Sequence, residues 1–479
     1  VSLLDFLKPA VPLEPVEDPV LVRHSYRYWR WRIFYGIYSG YALYYFTRKS
    51  LAFLAPALIA LNVITVVEWG QLATIQAATY GISKFVSGVV GDRSNPRYFM
   101  GVGLVVTGIA NLLFGFCSSF WVFAALWAIN GWFQGWGWPG CAKLLTHWYG
   151  HTERGTWWGF WNTSHNVGGI AIAFFTPWLA MNWGWQAGMW GPGIVCVLGG
   201  LYLINRLRDT PQSLGLPEVE VYRGDAAPAK AAPASNDTPS TREILVEYIF
   251  KNRQLWLLGA AYFFIYVVRQ AVNDWTAIFL VRERGYSLIG AGSFATWFEL
   301  GGVLGSLAAG WLSDKVFLGR RGPVNIIFCA AVGVSLAAIW WLPNASALVY
   351  AALIFAVGFL VFGPQMLVGV AAAETGERHV AATATGFIGT IGYLGAAAAG
   401  APLGWAVQHL GWQAYYLILL SCSLLSALLL LPLWGQRSSR EAARESDLQE
   451  QPAPVDISMT DSDTVELSRV PVDSGDPSN

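Results

Sequence analysis

The chain has 479 residues and no formal net charge; 54% of its residues are hydrophobic, only 13% are charged, and 25 are Trp. The charged share is about half that of a soluble domain, which excludes a string of soluble domains and indicates a polytopic membrane protein. The net charge says little about partners; no nucleic acid is expected among them, and the placement of the charges is more informative.

Residues 1–32 read as a cytoplasmic N-terminal arm that ends in a basic aromatic run from Arg23 to Arg32. The first 30 residues are polar and broken by proline, without the short apolar core of a signal peptide. Apolar stretches of spanning length follow near 33–60, 70–91, 98–117, 120–146, 156–181 and 185–206. Residues 207–250, rich in Ala, Pro, Asp and Arg, read as a cytoplasmic linker. Six further spans are expected near 253–281, 288–312, 322–342, 346–373, 380–405 and 411–434. Residues 436–479 are polar, acidic toward the end, and read as a disordered cytoplasmic tail. The arm, the linker, the tail and alternate loops carry Lys and Arg, so the positive-inside rule puts both termini in the cytoplasm.

The two halves, 33–206 and 251–435, repeat one another. GDRSNPR at Gly91–Arg97 returns as SDKVFLGRR at Ser313–Arg321, and Asp92 lies 222 residues before Asp314. Arg48 lies 221 residues before Arg269, and GWQA occurs at Gly184–Ala187 and again at Gly411–Ala414. Two six-helix halves joined by a linker are the architecture of the major facilitator superfamily, an all-α membrane fold with about 12 transmembrane helices. Its substrate sits near the midplane between the halves. The repeated loop resembles that superfamily's signature. Its expected task, at Gly88, Asp92, Arg93, Arg97, Asp314, Lys315, Arg320 and Arg321, is to hold helix ends together on the closed cytoplasmic side.

Charge inside the spans is costly, by roughly 2.5 kcal/mol or more per residue, and marks function. Tyr41, Tyr45 and Arg48 follow i, i+4, i+7 and share a helix face that cannot look at lipid. Arg48 and Arg269, one from each half, offer planar forks matched to phosphate oxygens. They are the expected phosphate ligands; the alternative is that each pairs with a carboxylate for structure. Lys49, rotated about 100° from Arg48, needs a partner. Asp274 and Glu299 are the candidates, as a switching ion pair or as a static one. Lys84, one turn from Tyr80, either adds charge to the site or pairs or snorkels elsewhere. His165, one turn from Asn162, either contacts substrate or is a packing histidine. If it titrates, it couples binding to substrate protonation, since a phosphate monoester has its second pKa near ~6. The glycines at Gly168–Gly169, Gly301–Gly302, Gly358, Gly389, Gly392 and Gly395 read as close helix contacts rather than nucleotide loops. The aromatic run Trp132–Gly140 reads as packing, with Pro139 as a kink. The five cysteines show no metal or disulfide spacing.

In these residues the chain resembles the organophosphate:inorganic phosphate antiporter family over about 33–434. The segments that carry the resemblance are GYALYYFTRKS (Gly40–Ser50), YGISKFVSGVVGDRSNPR (Tyr80–Arg97), NGWFQGWGWPGCAKLL (Asn130–Leu145), WNTSHNVGG (Trp161–Gly169), YVVRQAVNDW (Tyr266–Trp275) and FGPQMLVG (Phe362–Gly369). The resemblance implies that Arg48 and Arg269 clamp a phosphoryl group and that Tyr41, Tyr45, Tyr80, Lys84 and His165 surround it. It implies that Lys49 switches between Asp274 and Glu299, and that inorganic phosphate is the exchanged partner. The linker start and two C-half segments look similar to the hexose-phosphate transporter and sensor branch. Some bacterial uptake proteins of that kind carry an acid and a lysine in the eleventh span; Tyr393–Pro402 here carries neither. That departure bears on which sugar is carried and on the exchange stoichiometry, not on the phosphate site. Two functions that share every site residue are expected as alternatives. One is antiport of a hexose phosphate, with glucose-6-phosphate foremost, against inorganic phosphate across a bacterial inner membrane. The other is reception of external glucose-6-phosphate and signalling to a membrane histidine kinase. A phosphatase is disfavoured, since no nucleophile stands beside a base and no metal cluster is visible. No cofactor is expected, and a monomer is.

Overall fold

The computed structural model describes residues 7–92, 94–150, 153–224, 244–342, 345–375 and 381–435. Among these residues the protein is helical and contains no strand. The expected tail lies outside the described residues, as do Arg93 and the middle of the expected linker.

The first half comprises α1 (Pro19–Ala60), α2 (Val66–Asp92), α3 (Pro96–Phe114), α4 (Phe120–Gln134), α5 (Gly137–Trp148), α6 (Arg154–Asn162), α7 (Ser164–Trp183) and α8 (Trp185–Arg206). A short helix, α9 (Val219–Arg223), follows in the linker region. The second half comprises α10 (Arg253–Arg284), α11 (Leu288–Trp311), α12 (Arg321–Trp341), α13 (Ala347–Glu374), α14 (Ala381–Ala398) and α15 (Ala401–Leu430). The fold is the expected pair of six-span bundles.

Three departures from the expected spans have local causes. Helix α1 begins at Pro19, well before residue 33, because Asp18 caps it by accepting from Val20 N at 2.8 Å and Pro19 is preorganised at the first helical position. Its 42 residues reach about 63 Å, twice the hydrocarbon thickness, so its first turns project beyond it. The fourth span breaks into α4 and α5 at Gly135 and Trp136, one turn before Pro139, whose ring cannot donate to the Gly135 carbonyl. The fifth span breaks at Thr163, between Asn162 and His165.

Among the described residues, six helical stretches are long and apolar enough to cross a membrane by length and composition. The first, second, fourth, fifth and eighth spans fall short of that measure because they are broken or carry polar side chains between the halves.

The GWQA repeat has a backbone reason. Gly184 adopts φ 85°, ψ 162°, and Gly411 adopts φ 77°, ψ −178°. This region is open essentially to glycine alone. Each sharp corner turns the chain into the last span of its half, and α15 is two helices joined across Gly411.

The halves meet closely on the face opposite the arm. A Cβ on Gly70 of α2 would lie 2.7 Å from the Gly400 carbonyl oxygen, and one on Gly292 of α11 would collide with Ala173 of α7. Thr74 Oγ1 donates to Ala397 O at 2.7 Å and accepts from Ala401 N at 2.7 Å, while Val67 N donates to Gln408 Oε1 at 3.1 Å. Toward the arm-bearing face, Gly88 of α2 and Gly386 and Gly389 of α14 have open space where a Cβ would stand.

Candidate functional site

A cavity of about 190 Å³ lies between the halves. Tyr41, Tyr45, Arg48, Lys49, Tyr80, Lys84, Asn162, His165, Arg269 and Asp274 all line it. Glu299 does not; it is buried beside the cavity at the contact between α7 and α11.

Arg48 is fixed by its neighbours on both sides. Its guanidinium lies over the Tyr80 ring (4.3 Å to the centroid) and the Tyr45 ring (4.7 Å). Its Nε donates to Gln134 Oε1 at 3.2 Å. Gln134 is itself held, donating to Tyr44 O at 3.1 Å and Thr47 Oγ1 at 2.9 Å. This leaves Arg48 Nη2 buried without a hydrogen-bond partner. Arg269 is placed similarly by α10: its guanidinium stacks on Phe362 at 4.7 Å, and its Nε is buried and unpartnered. Among the described residues, neither arginine forms a salt bridge. The alternative in which each neutralises a carboxylate is therefore not what the fold builds. Two desolvated guanidiniums with unsatisfied N–H groups are suited to a shared oxyanion.

Lys49 takes neither expected partner directly. Its Nζ donates to Asn273 Oδ1 of α10. Asn273 Nδ2 donates to Asp274 Oδ1 at 2.6 Å, and Gln270 Nε2 donates to Asp274 Oδ2 at 2.7 Å. Glu299 instead accepts from Asn166 Nδ2 at 2.8 Å, a further hydrogen bond between the halves. Lys49 thus reaches Asp274 through the Asn273 amide, while Glu299 is held by the amide of Asn166.

The break at Thr163 shapes the His165 corner. Asn166 N turns to Thr163 O at 3.1 Å, so the Asn162 carbonyl is left to His165 Nδ1. A carbonyl only accepts, so Nδ1 carries the proton in that bond, and Nε2 is the ring's free nitrogen. The imidazole packs against Tyr45 with centroids 5.5 Å apart.

Sequence reasoning missed part of the wall. Tyr393 of α14 is the centre of an aromatic group: its ring lies 5.0 Å from Tyr80 and 5.4 Å from Tyr266, and Lys84 Nζ sits 5.3 Å from its centroid. Trp138 takes the other side of Lys84 at 5.6 Å. Lys84 thus turns toward the cavity. Gln134 and Trp138 lie in the run read as packing, and Tyr393 in a segment noted only for lacking charge. A tyrosine or glutamine in an otherwise apolar span was the available signal.

On the arm-bearing face the second copy of the loop motif is a closed ion-pair group. Arg321 pairs with Asp314 and with Glu374 (3.2 Å), and its Nη1 also reaches Ser313 Oγ at 2.9 Å. Glu374, at the end of α13, was not singled out from the sequence. Arg320 caps α12 through its backbone alone, and Lys315 is exposed. In the first copy, Arg97 Nε donates to Ile204 O, and a Cβ on Gly88 would meet nothing; the Asp92 side chain lies outside the described residues. Beside it, Lys143 pairs with buried Asp209 at 3.1 Å and donates to Ser94 O at 2.8 Å.

Residues 37–400 match the family model of the Major Facilitator Superfamily. The chain is 47% identical over 449 residues to a probable hexose phosphate transport protein of Chlamydia pneumoniae, covering 91% of this chain and 99% of that protein. It is also 47% identical over 441 residues to the membrane sensor protein UhpC of Escherichia coli K12, covering 92% and 100%. Among solved structures, a bacterial homologue of the human lysosomal transporter Spinster, inward-facing and unoccupied, superposes with a TM-score of 0.67 at 16% identity, covering 89% of this chain and 99% of that one.

Proposed function

Because the chain belongs to the Major Facilitator Superfamily and, within it, to the organophosphate:inorganic phosphate antiporter family, we propose that it moves a hexose phosphate, glucose-6-phosphate foremost, across a membrane in exchange for inorganic phosphate. The observation that carries this reading is the pair Arg48 and Arg269. They come from the first span of each half, line one cavity, have no carboxylate partner among the described residues and keep buried N–H groups unsatisfied. The phosphoryl group common to both exchanged anions would complete them. The names of the relatives supply the sugar.

Exchange follows from the interhalf contacts. An anion bridging Arg48 and Arg269 draws the halves together at the midplane. The Lys49–Asn273 and Asn166–Glu299 links can then rearrange, with Lys49 moving between Asp274 and Glu299. Closure of the arm-bearing face would use the groups at Gly88, Asp92, Arg93 and Arg97 and at Asp314, Lys315, Arg320 and Arg321. Only a ligand that binds the two facing states differently can drive that movement. The Lys and Arg distribution supports cytoplasmic termini, and the bacterial relatives support an inner membrane. The protein acts as a monomeric carrier and performs no catalysis.

A second reading is favoured by one finding, the full-length similarity to a membrane sensor. In it the same cavity receives external glucose-6-phosphate and the signal passes to a membrane histidine kinase. Proteoliposomes loaded with phosphate separate the two. Uptake of labelled glucose-6-phosphate that depends on internal phosphate is the expected result. Tight binding without flux would overturn transport and leave reception.

A further inference from the structure

We propose that the projecting start of α1 carries a second anion site, which takes the phosphate of a phospholipid headgroup or of a soluble phosphate compound. It lies in a separate cavity of about 290 Å³ on the arm-bearing face. Arg30, its innermost arginine, is 18 residues before Arg48, or about 27 Å along the helix.

Arg23, Arg27 and Arg30 line this cavity and follow i, i+4, i+7, so they share a face. Like charges at that spacing repel unless an anion lies between them. Arg30 is locked in place: it pairs with Glu153, its guanidinium lies 4.7 Å over the Tyr149 ring, and its Nε is buried without a hydrogen-bond partner. Arg23 and Arg27 are exposed and, among the described residues, have no ion-pair partner. Glu153 is the one carboxylate among the lining residues, and it is already shared between Arg30 and Arg223 (3.7 Å). Among the described lining residues, three arginines therefore stand against one carboxylate. Guanidinium forks converging from one helix suit a tetrahedral oxyanion, which presents several oxygens at once.

The walls are built rather than incidental. Tyr222 stacks on Tyr26 with centroids 3.9 Å apart, and the Tyr26 hydroxyl donates to Pro217 O, which pins the linker region against α1. Trp157 closes the other side, packed on Tyr149 and Trp31 at 4.9 and 5.2 Å. The same helix exposes Val20 (77%), Trp31 and Tyr35 (60%) around the arginines. An aromatic and aliphatic fringe beside a basic cluster is the composition of a membrane interface that attracts anionic headgroups.

Two measurements on the wild-type protein test this directly. In the first, native mass spectrometry counts phosphatidylglycerol against phosphatidylcholine retained from mixed nanodiscs. In the second, labelled inorganic phosphate is titrated into phosphatidylcholine nanodiscs to read its stoichiometry. A lipid source gives preferential retention of phosphatidylglycerol; a soluble source gives a second phosphate equivalent. In either case Arg23→Gln/Arg27→Gln should weaken that binding by about 30-fold, while Arg48→Gln, in the central cavity, should leave it intact. The Arg48→Gln arm and the lipid count keep the result separate from the success of the central phosphate reading. No headgroup preference together with no second phosphate equivalent would overturn the proposal. So would binding at this site that the double substitution leaves unchanged.

Discussion

Lys49 and Asp274 are joined through Asn273, whose Oδ1 accepts from the lysine and whose Nδ2 donates to the carboxylate at 2.6 Å. The amide keeps Asp274 satisfied within its own half, through Asn273 and Gln270, while the link to Lys49 is a hydrogen bond to a neutral group. A direct buried ion pair would be far costlier to separate once formed.

Asn273→Ala should therefore lower stability, by about 1–3 kcal/mol, because Lys49 loses its acceptor in a buried setting. Thermal unfolding in detergent measures this. An unchanged midpoint would show that Lys49 finds Asp274 unaided and that the amide is dispensable.

Arg48→Lys and Arg269→Lys should each weaken phosphate binding by at least about tenfold. A point charge cannot reproduce the fork, and a charge-assisted hydrogen bond contributes about 1.5–3 kcal/mol. Calorimetric titration with inorganic phosphate and with glucose-6-phosphate tests the pair. Wild-type affinity in either variant would remove that arginine from the clamp.

Tyr393→Ala should cost more than Tyr393→Phe. The ring supports Tyr80, Tyr266 and Lys84, and an exposed or partly desolvated cation–π contact contributes about 0.5–2 kcal/mol. Tyr393→Phe keeps the ring, so near-normal sugar-phosphate affinity is expected for it, with a loss of several-fold for alanine. Equal effects in the two variants would assign the role to the hydroxyl instead.

Gly411→Ala isolates a backbone effect. A Cβ there would meet no atom within 4 Å, yet φ is 77°. The cost should be about 1–3 kcal/mol, read as a lower unfolding temperature. Gly184→Ala should behave alike with an added contact to Gln186 Oε1, 3.2 Å from the new methyl. Unaltered stability of Gly411→Ala would mean the corner relaxes without strain.

Much of the fold was legible in the sequence because span length, hydropathy and the repeats are local properties. Two halves, twelve spans and the paired arginines follow from them, and the second GWQA marked a corner whose backbone needs glycine. The Tyr41, Tyr45, Arg48 stripe was readable for the same reason: helical periodicity puts the three on one face, and a buried charge says which face that is.

What only the tertiary structure decided is which uncharged side chains meet those charges. In an apolar span, periodicity cannot tell a cavity-facing tyrosine from a packed one, so Tyr393, Trp138 and Gln134 stayed hidden. Nor could it show that Asn273 would stand between Lys49 and Asp274. That depends on the register of α1 against α10, set by contacts between residues 224 positions apart. Sequence alone determined that charge must be sheltered between two repeated bundles; the packing of one bundle on the other decided what shelters it, because that contact is long-range and leaves no periodic trace.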